Sequence, residues 1–191
     1  MLVLASASPR RQELLRNAGI PFTAQPANVD ETPHAGESPR EYAERLSREK
    51  ALAVSRNRSQ DLVLGADTIV VVDEKILGKP RDAEGAASML RLLSGRTHQV
   101  ITGVSMVGGK LRTANPELRT ASETTLVTMS DLSDADISEY IATGEPMDKA
   151  GAYAIQGVAS RWIHRIDGDY SNVVGLPIAL VYRMLRESGE F

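Results

Sequence analysis

The sequence predicts an α/β fold, and three observations predict it. Runs rich in β-branched residues alternate along the chain with runs whose apolar residues recur every three or four positions. The connections are short, with no linker-like gap and no internal repeat, so a single domain over residues 1–191, or two lobes sharing a core, accommodates them. Finally, residues 62–72 (LVLGADTIVVV) are a nearly unbroken apolar run, the pattern of a strand covered on both faces.

Residues 2–5 form a first strand entering a helix with Ser8 at the N-cap and Pro9 at its first position. Leu14, Leu15 and Ala18 are its apolar residues and Gly19 its C′ stop. A short strand at 22–25 leads to the polar segment 28–38, then to a long helix over about 39–56. Tyr42, Ala43, Leu46, Ala53 and Val54 make its inward stripe. After the strand at 62–72, Gly78-Lys79-Pro80 breaks the pattern, and 83–93 is helical, with Met89, Leu90 and Leu93 on one side and Gly95 as a stop. Residues 98–107 are β-rich, Gly108-Gly109 suggests a turn, and the region 111–129 is extended toward its end. A short helix at 134–143 stops at Gly144. Residues 151–157 read as an irregular loop, 162–166 as a strand, and 176–187 as the last helix.

Composition excludes several function classes. A net charge of −3 and a pI near 5.7 argue against a nucleic-acid coat or a polybasic membrane binder. With no cysteine, there is no disulfide, thiolate zinc site or cysteine nucleophile, which fits a reducing compartment. The start of the sequence lacks a basic, then apolar, targeting pattern, and no window reaches about 18 consecutive apolar residues, so a soluble cytoplasmic protein is expected. Walker A, G-x-G-x-x-G and G-x-S-x-G motifs are missing, and His34, His98 and His164 have no metal-ligand spacing.

Charged residues that break the local pattern point to a site. Asp67 interrupts the apolar run at 62–72, where a carboxylate must be paired, metal-bound or protonated; the other reading is a frayed strand end facing water. Lys50 lies on the inward stripe of the long helix, with snorkelling to the surface as its alternative. Arg10 and Arg11 stand in the first turn of a helix, where the backbone is already positive and cations are disfavoured. Glu31 and Lys79 read singly as solvated loop charges. Together, Arg10, Arg11, Lys50 and Lys79 against Glu31 and Asp67, around a helix N-terminus, suit a polyphosphate with a divalent metal.

Ser6-Ala7-Ser8-Pro9-Arg10-Arg11, Val29-Asp30-Glu31, Lys50-Ala51, Gly65-Ala66-Asp67-Thr68, Gly78-Lys79-Pro80, Leu93-Ser94-Gly95, Thr102-Gly103-Val104, Asp148-Lys149-Ala150-Gly151-Ala152-Tyr153, Ile155-Gln156-Gly157, Gly168-Asp169-Tyr170 and Asn172-Val173-Val174-Gly175-Leu176-Pro177 occur in the order of the Maf family, which the chain resembles from residue 2 to about 187. The resemblance implies a nucleoside triphosphate pyrophosphatase whose α/β fold is similar to the inosine-triphosphatase group, a mixed bent sheet with flanking helices and a cleft between two lobes. It also implies a cytoplasmic, Mg²⁺- or Mn²⁺-dependent and commonly homodimeric enzyme. The stretch from Lys149 to Gly157 resembles the branch acting on dTTP and UTP, and Arg11, Thr68 and Gln156 match the positions that divide the branches. Val158-Ala159-Ser160-Arg161 departs from the Gly-Ala pair that members often carry there.

On this resemblance, Asp67 is the proton acceptor from the attacking water, Ser8, Arg10 and Arg11 hold the β and γ phosphates, and Lys50 and Lys79 neutralise developing charge. Glu31, with Asp67, holds the metal. Gln156 offers a donor and an acceptor to the O4 and N3–H edge shared by uracil and thymine. Modified pyrimidine triphosphates extend the substrate class, and a nucleotide-binding regulator of septum formation is the non-enzymatic alternative.

Overall fold

The computed structural model describes residues 1–108 and 118–189. Gly109 of the expected turn and the first part of the extended region after it lie outside the described residues. In chain order the elements are β1 (Leu2–Leu4), α1 (Pro9–Asn17), β2 (Thr23–Ala24), α2 (Pro39–Ser55), β3 (Leu62–Val72), β4 (Lys75–Leu77), α3 (Ala83–Leu93), β5 (Thr97–Val107), β6 (Leu118–Met129), α4 (Asp134–Ala142), β7 (Ile163–Asp167), α5 (Tyr170–Val174) and α6 (Ile178–Glu187). The strands form one seven-stranded sheet in the order β2-β1-β3-β5-β6-β7, with β4 pairing to β3. β1 runs parallel to β2 and β3, whereas β3/β4 and β6/β7 are antiparallel, so the sheet is mixed. The α/β expectation is met, and no helix among the described residues is long and apolar enough to cross a membrane.

The chain divides into two compact units, one of residues 1–68, 102–123 and 175 onward, the other of 69–101 and 124–174. In the first unit, alternation along the strands sends side chains to opposite faces. Leu2, Leu4, Leu62, Leu64 and Ala66 pack with Leu15 of α1 and with Leu180, Val181, Met184 and Leu185 of α6. Val3, Ala5 and Val63 pack with Ala51 and Val54 of α2. Burial of both strand faces is why residues 62–72 lack polar alternation. In the second unit, Val70, Val72, Val100, Val127 and Met129 form a core with Ala86, Leu90 and Leu93 of α3 and Ile137 and Tyr140 of α4.

Three local expectations change. The strand β4 was hidden because the turn before it uses Asp73 and Glu74 at φ 49° and 61°, where a hairpin usually announces itself with Asn-Gly. Ala53 is only partly buried; the inward face of α2 is Tyr42, Ala43, Leu46, Ser47, Ala51 and Val54. Residues 170–174 are a separate short helix before α6.

Candidate active site

The first unit builds the site from α2 inward. Ser38 caps α2 in a reciprocal capping box with Glu41, and Pro39 opens its first turn. α2 then lies directly on strand backbone because two facing residues have no side chain. A Cβ on Gly65 would stand 2.1 Å from the Ser47 carbonyl oxygen, and one on Gly103 2.3 Å from that of Ala43. The close approach delivers Lys50 to Asp67.

Asp67 is 8 % exposed and sits within β3, not at a frayed end. Lys50 Nζ lies 2.6 Å from Asp67 Oδ1 and 2.7 Å from Glu31 Oε1. Its side chain is 12 % exposed, whereas that of Glu31 is 53 % exposed. Lys50 therefore turns inward, as its place on the α2 stripe implied, and its ammonium joins the two acids. Burial pushes the Asp67 carboxyl above the usual carboxylate range, while Lys50 and Arg11 pull it back. The loop carrying Glu31 is fixed from α2: Tyr42 Oη donates to the Glu31 carbonyl at 2.7 Å and Arg45 Nη2 to the Thr32 carbonyl at 3.1 Å. Burial, with the charges of Asp67 and Glu31, pushes the Tyr42 phenol up to about 12, so it stays a neutral donor.

Arg11 has a different place from the one its position suggested. Its Nε donates to the Gly175 carbonyl (2.8 Å), Nη1 to the Ala66 carbonyl (2.9 Å) and Ser6 Oγ (3.2 Å), and Nη2 to Thr68 Oγ1 (3.0 Å). Four of the five guanidinium N–H groups thus go to protein acceptors, which leaves one for a ligand. Ala66 and Thr68 flank Asp67, so the guanidinium holds a backbone carbonyl on one side of the buried acid and a side-chain hydroxyl on the other. Burial lowers the Arg11 pKa, an arginine at this depth being desolvated, with Asp67 opposing the shift. The hydroxyl of Thr68 can donate once, and it does so to the Gly175 carbonyl (3.1 Å); the Thr102 hydroxyl at 2.9 Å is then its donor. Ser8 caps α1 by accepting from the Arg11 N–H, and its own N–H donates to Ser6 Oγ at 3.2 Å. Arg10 is half-buried in the same first turn.

The structure thus brings Arg11, Glu31, Lys50, Asp67 and Thr68 into one connected set within the first unit. Lys79 and Gln156 belong to the second unit, and both are exposed. The segments preceding them meet there, where the Gly151 N–H donates to the Gly78 carbonyl at 3.1 Å. Gln156 occupies a turn closed by the Gly157 N–H on the Ala154 carbonyl, 3.1 Å away. Sequence reasoning missed Ser6, Tyr42, Thr102 and Gly175 as partners. Ser6, Thr102 and Gly175 stand within the motifs quoted above, but nothing adjacent in sequence names Arg11 and Thr68 as their partners. Among the described residues, no group of three or more His, Cys, Asp or Glu is arranged to hold a metal ion by itself.

A family model described as Maf-like protein matches residues 1–188. The chain is 56 % identical over 188 residues to a dTTP/UTP pyrophosphatase of Koribacter versatilis, covering 98 % of this chain and 94 % of that protein. It is 53 % identical, with the same coverage, to a dTTP/UTP pyrophosphatase of Symbiobacterium thermophilum. A Bacillus cytotoxicus protein of the same name is 48 % identical over 185 residues, 97 % of this chain and 94 % of its own length. A match over nearly the whole chain, with identities around one half, makes this chain a member of the Maf-like protein family.

Proposed function

We propose that the chain is a nucleoside triphosphate pyrophosphatase acting on dTTP and UTP, and on modified pyrimidine triphosphates of the same edge chemistry, in nucleotide-pool housekeeping. The observation that carries this reading is the buried Asp67, held by Lys50 on one carboxylate oxygen and flanked by Arg11 contacts to the Ala66 carbonyl and the Thr68 hydroxyl. Relatives at about one half identity bear that activity in their names.

The reaction is NTP + H2O → NMP + pyrophosphate, by attack of water on the α-phosphorus. Asp67 accepts the proton of the attacking water. Lys50 occupies Oδ1, so Oδ2 is the oxygen that faces the water. A carboxylate raised toward the working pH by burial is a better base than one left in bulk water. Ser8, Arg10 and the remaining Arg11 N–H bind the β and γ phosphates, with Thr68 fixed beside them. Lys50 and Lys79 neutralise the charge that grows on the phosphate oxygens.

The donor set fits a divalent metal that arrives with the substrate. Glu31 and Asp67 present hard oxygens within hydrogen-bond distance of one ammonium, hence close to each other, and two carboxylates completed by phosphates and water suit Mg²⁺ or Mn²⁺. When bound, such an ion withdraws charge from the phosphate oxygens it touches. Gln156 reads the O4 and N3–H edge of the base. The absence of cysteine supports a cytoplasmic setting; a homodimer, with neither nucleic acid nor membrane as partner, completes the reading.

A nucleotide panel with Mg²⁺, scored for pyrophosphate against phosphate, tests it. Pyrophosphate from dTTP and UTP, with poor turnover of dCTP and dGTP, is expected; phosphate as the sole inorganic product overturns it. Asp67→Asn should retain nucleotide binding and lose turnover by about a thousandfold or more, whereas a purely regulatory binder would be indifferent to the change.

A further inference from the structure

The turn that carries Gln156 is held on both sides by one side-chain relay within the second unit. Tyr140, on α4, has a fully buried ring packed edge-on against Trp162, with centroids 5.5 Å apart. Its hydroxyl donates to Glu145 Oε1 at 2.7 Å and accepts the Ala154 N–H at 3.2 Å. The other oxygen of Glu145, Oε2, accepts the Val158 N–H at 3.2 Å. Ala154 and Val158 lie two residues before and two residues after Gln156. The carboxylate also fills the space where Gly157 has no side chain: a Cβ there would stand 2.2 Å from Oε2 and 2.3 Å from Oε1. At φ −105° this glycine needs no left-handed backbone, so a side chain here would have only to displace the carboxylate from its place. Glu145 is itself anchored, because Lys149 Nζ donates to its carbonyl at 3.3 Å and its N–H donates to Thr143 Oγ1 at 3.1 Å.

We propose that Glu145, acting through Tyr140 and the two backbone N–H groups, is the positioning residue that sets the Gln156 amide and with it the choice of base. The inference rests on the reading that Gln156 recognises the pyrimidine edge. Neither Glu145 nor Tyr140 touches substrate in this account. Both act by fixing φ and ψ across residues 154–158, so that the amide meets O4 and N3–H without first being ordered by the ligand. Cytosine is the informative competitor, since it reverses donor and acceptor at that same edge, and an amide free to rotate would satisfy either base.

The test compares kcat and KM for dTTP and dCTP in the full-length enzyme and in Glu145→Ala, Tyr140→Phe, Gln156→Ala, Gly157→Ala and the Glu145→Ala/Gly157→Ala double variant, with melting temperatures throughout. Glu145→Ala and Tyr140→Phe should each lower the dTTP-over-dCTP preference by about tenfold, chiefly through KM for dTTP, with kcat on dTTP within about twofold. Tyr140→Phe keeps the ring and its packing, so it remains informative where Glu145→Ala folds poorly. Gly157→Ala should reproduce the loss alone and add nothing once Glu145 is alanine, because the clash is then gone. A merely structural role would instead lower melting temperature and both kcat values together and leave the preference intact, which overturns the proposal. Collapse of the preference in Gln156→Ala alone also overturns it while sparing the reading of Gln156; an unchanged preference in Gln156→Ala overturns that reading and the proposal with it.

Discussion

Lys50 Nζ lies 2.6 Å from Asp67 Oδ1, an ion pair with both side chains nearly removed from solvent. Its consequence is set by two opposing effects on the acid. Desolvation favours the neutral carboxyl and the ammonium favours the carboxylate, with desolvation the larger. A base must be ionised to accept a proton, so activity should rise with pH through the raised pKa of Asp67.

Removing the ammonium should therefore move the acid limb of the kcat/KM profile to higher pH. Lys50→Met keeps the length of the stem and deletes the charge, leaving Asp67 beside Glu31 with Arg11 as its main remaining counter-charge. The kcat/KM–pH profile of the variant against the parent, at constant ionic strength, reads the shift. An acid limb at the same pH in both would show that Asp67 is not the group being titrated.

Arg11 should matter as much for folding as for catalysis. Arg11→Lys retains a charge but cannot reach the Gly175 and Ala66 carbonyls and the Thr68 hydroxyl from one planar fork. Loss of these donors, with Gly175 keeping only the Thr68 hydroxyl, should cost about 1–3 kcal/mol of stability in urea unfolding. A variant of parental stability with only KM raised would show that the side chain serves substrate alone.

Much of this was legible in the sequence for a physical reason. Asp67 in an apolar run and Lys50 on an apolar stripe are misfits locally, and their pairing, with Glu31 and Arg11 beside it, makes the burial of both tolerable. The Ser8-Pro9 and Ser38-Pro39 helix starts were legible because caps are written in adjacent residues. What was hidden depends on tertiary contact. Arg11 reads as a cation at a helix start, and nothing near it in sequence names Gly175, 164 positions away, as its partner. Glu145 drew no notice in the sequence, because its carboxylate meets Tyr140 five positions back and Val158 13 positions on.

Gly65 should tolerate no side chain. A methyl group 2.1 Å from the Ser47 carbonyl oxygen and 2.7 Å from the Ala51 nitrogen must push α2 off β3, and both neighbours are backbone that cannot rotate away. Gly65→Ala should cost about 3 kcal/mol or more and separate Lys50 from Asp67, so residual folded enzyme should turn over slowly. Gly78→Ala is the control: nothing lies within 4 Å of its Cβ position, and its stability should stay within about 0.5 kcal/mol of the parent. Equal stabilities for the two variants would refute the packing argument.

His98 should make the fold sensitive to mild acid. It is 2 % exposed, its Nε2 lies 2.7 Å from Tyr153 Oη, and Nδ1 has no hydrogen-bond partner among the described residues. Burial pushes its pKa down to about 4 from the ordinary 6.5, because a protonated ring would carry charge and a second N–H into a site that answers neither. Between those two pH values the unfolded chain takes up a proton that the native state refuses. Stability from this group is therefore whole above about pH 6.5, falls as pH drops toward 4, and is level below that. The integrated loss is about 3 kcal/mol. Urea unfolding at intervals from pH 7.5 to 4 should show that decline, and His98→Phe, which has nothing to titrate, should flatten it by the same amount. A decline of equal depth in the variant would assign the acid sensitivity to other groups.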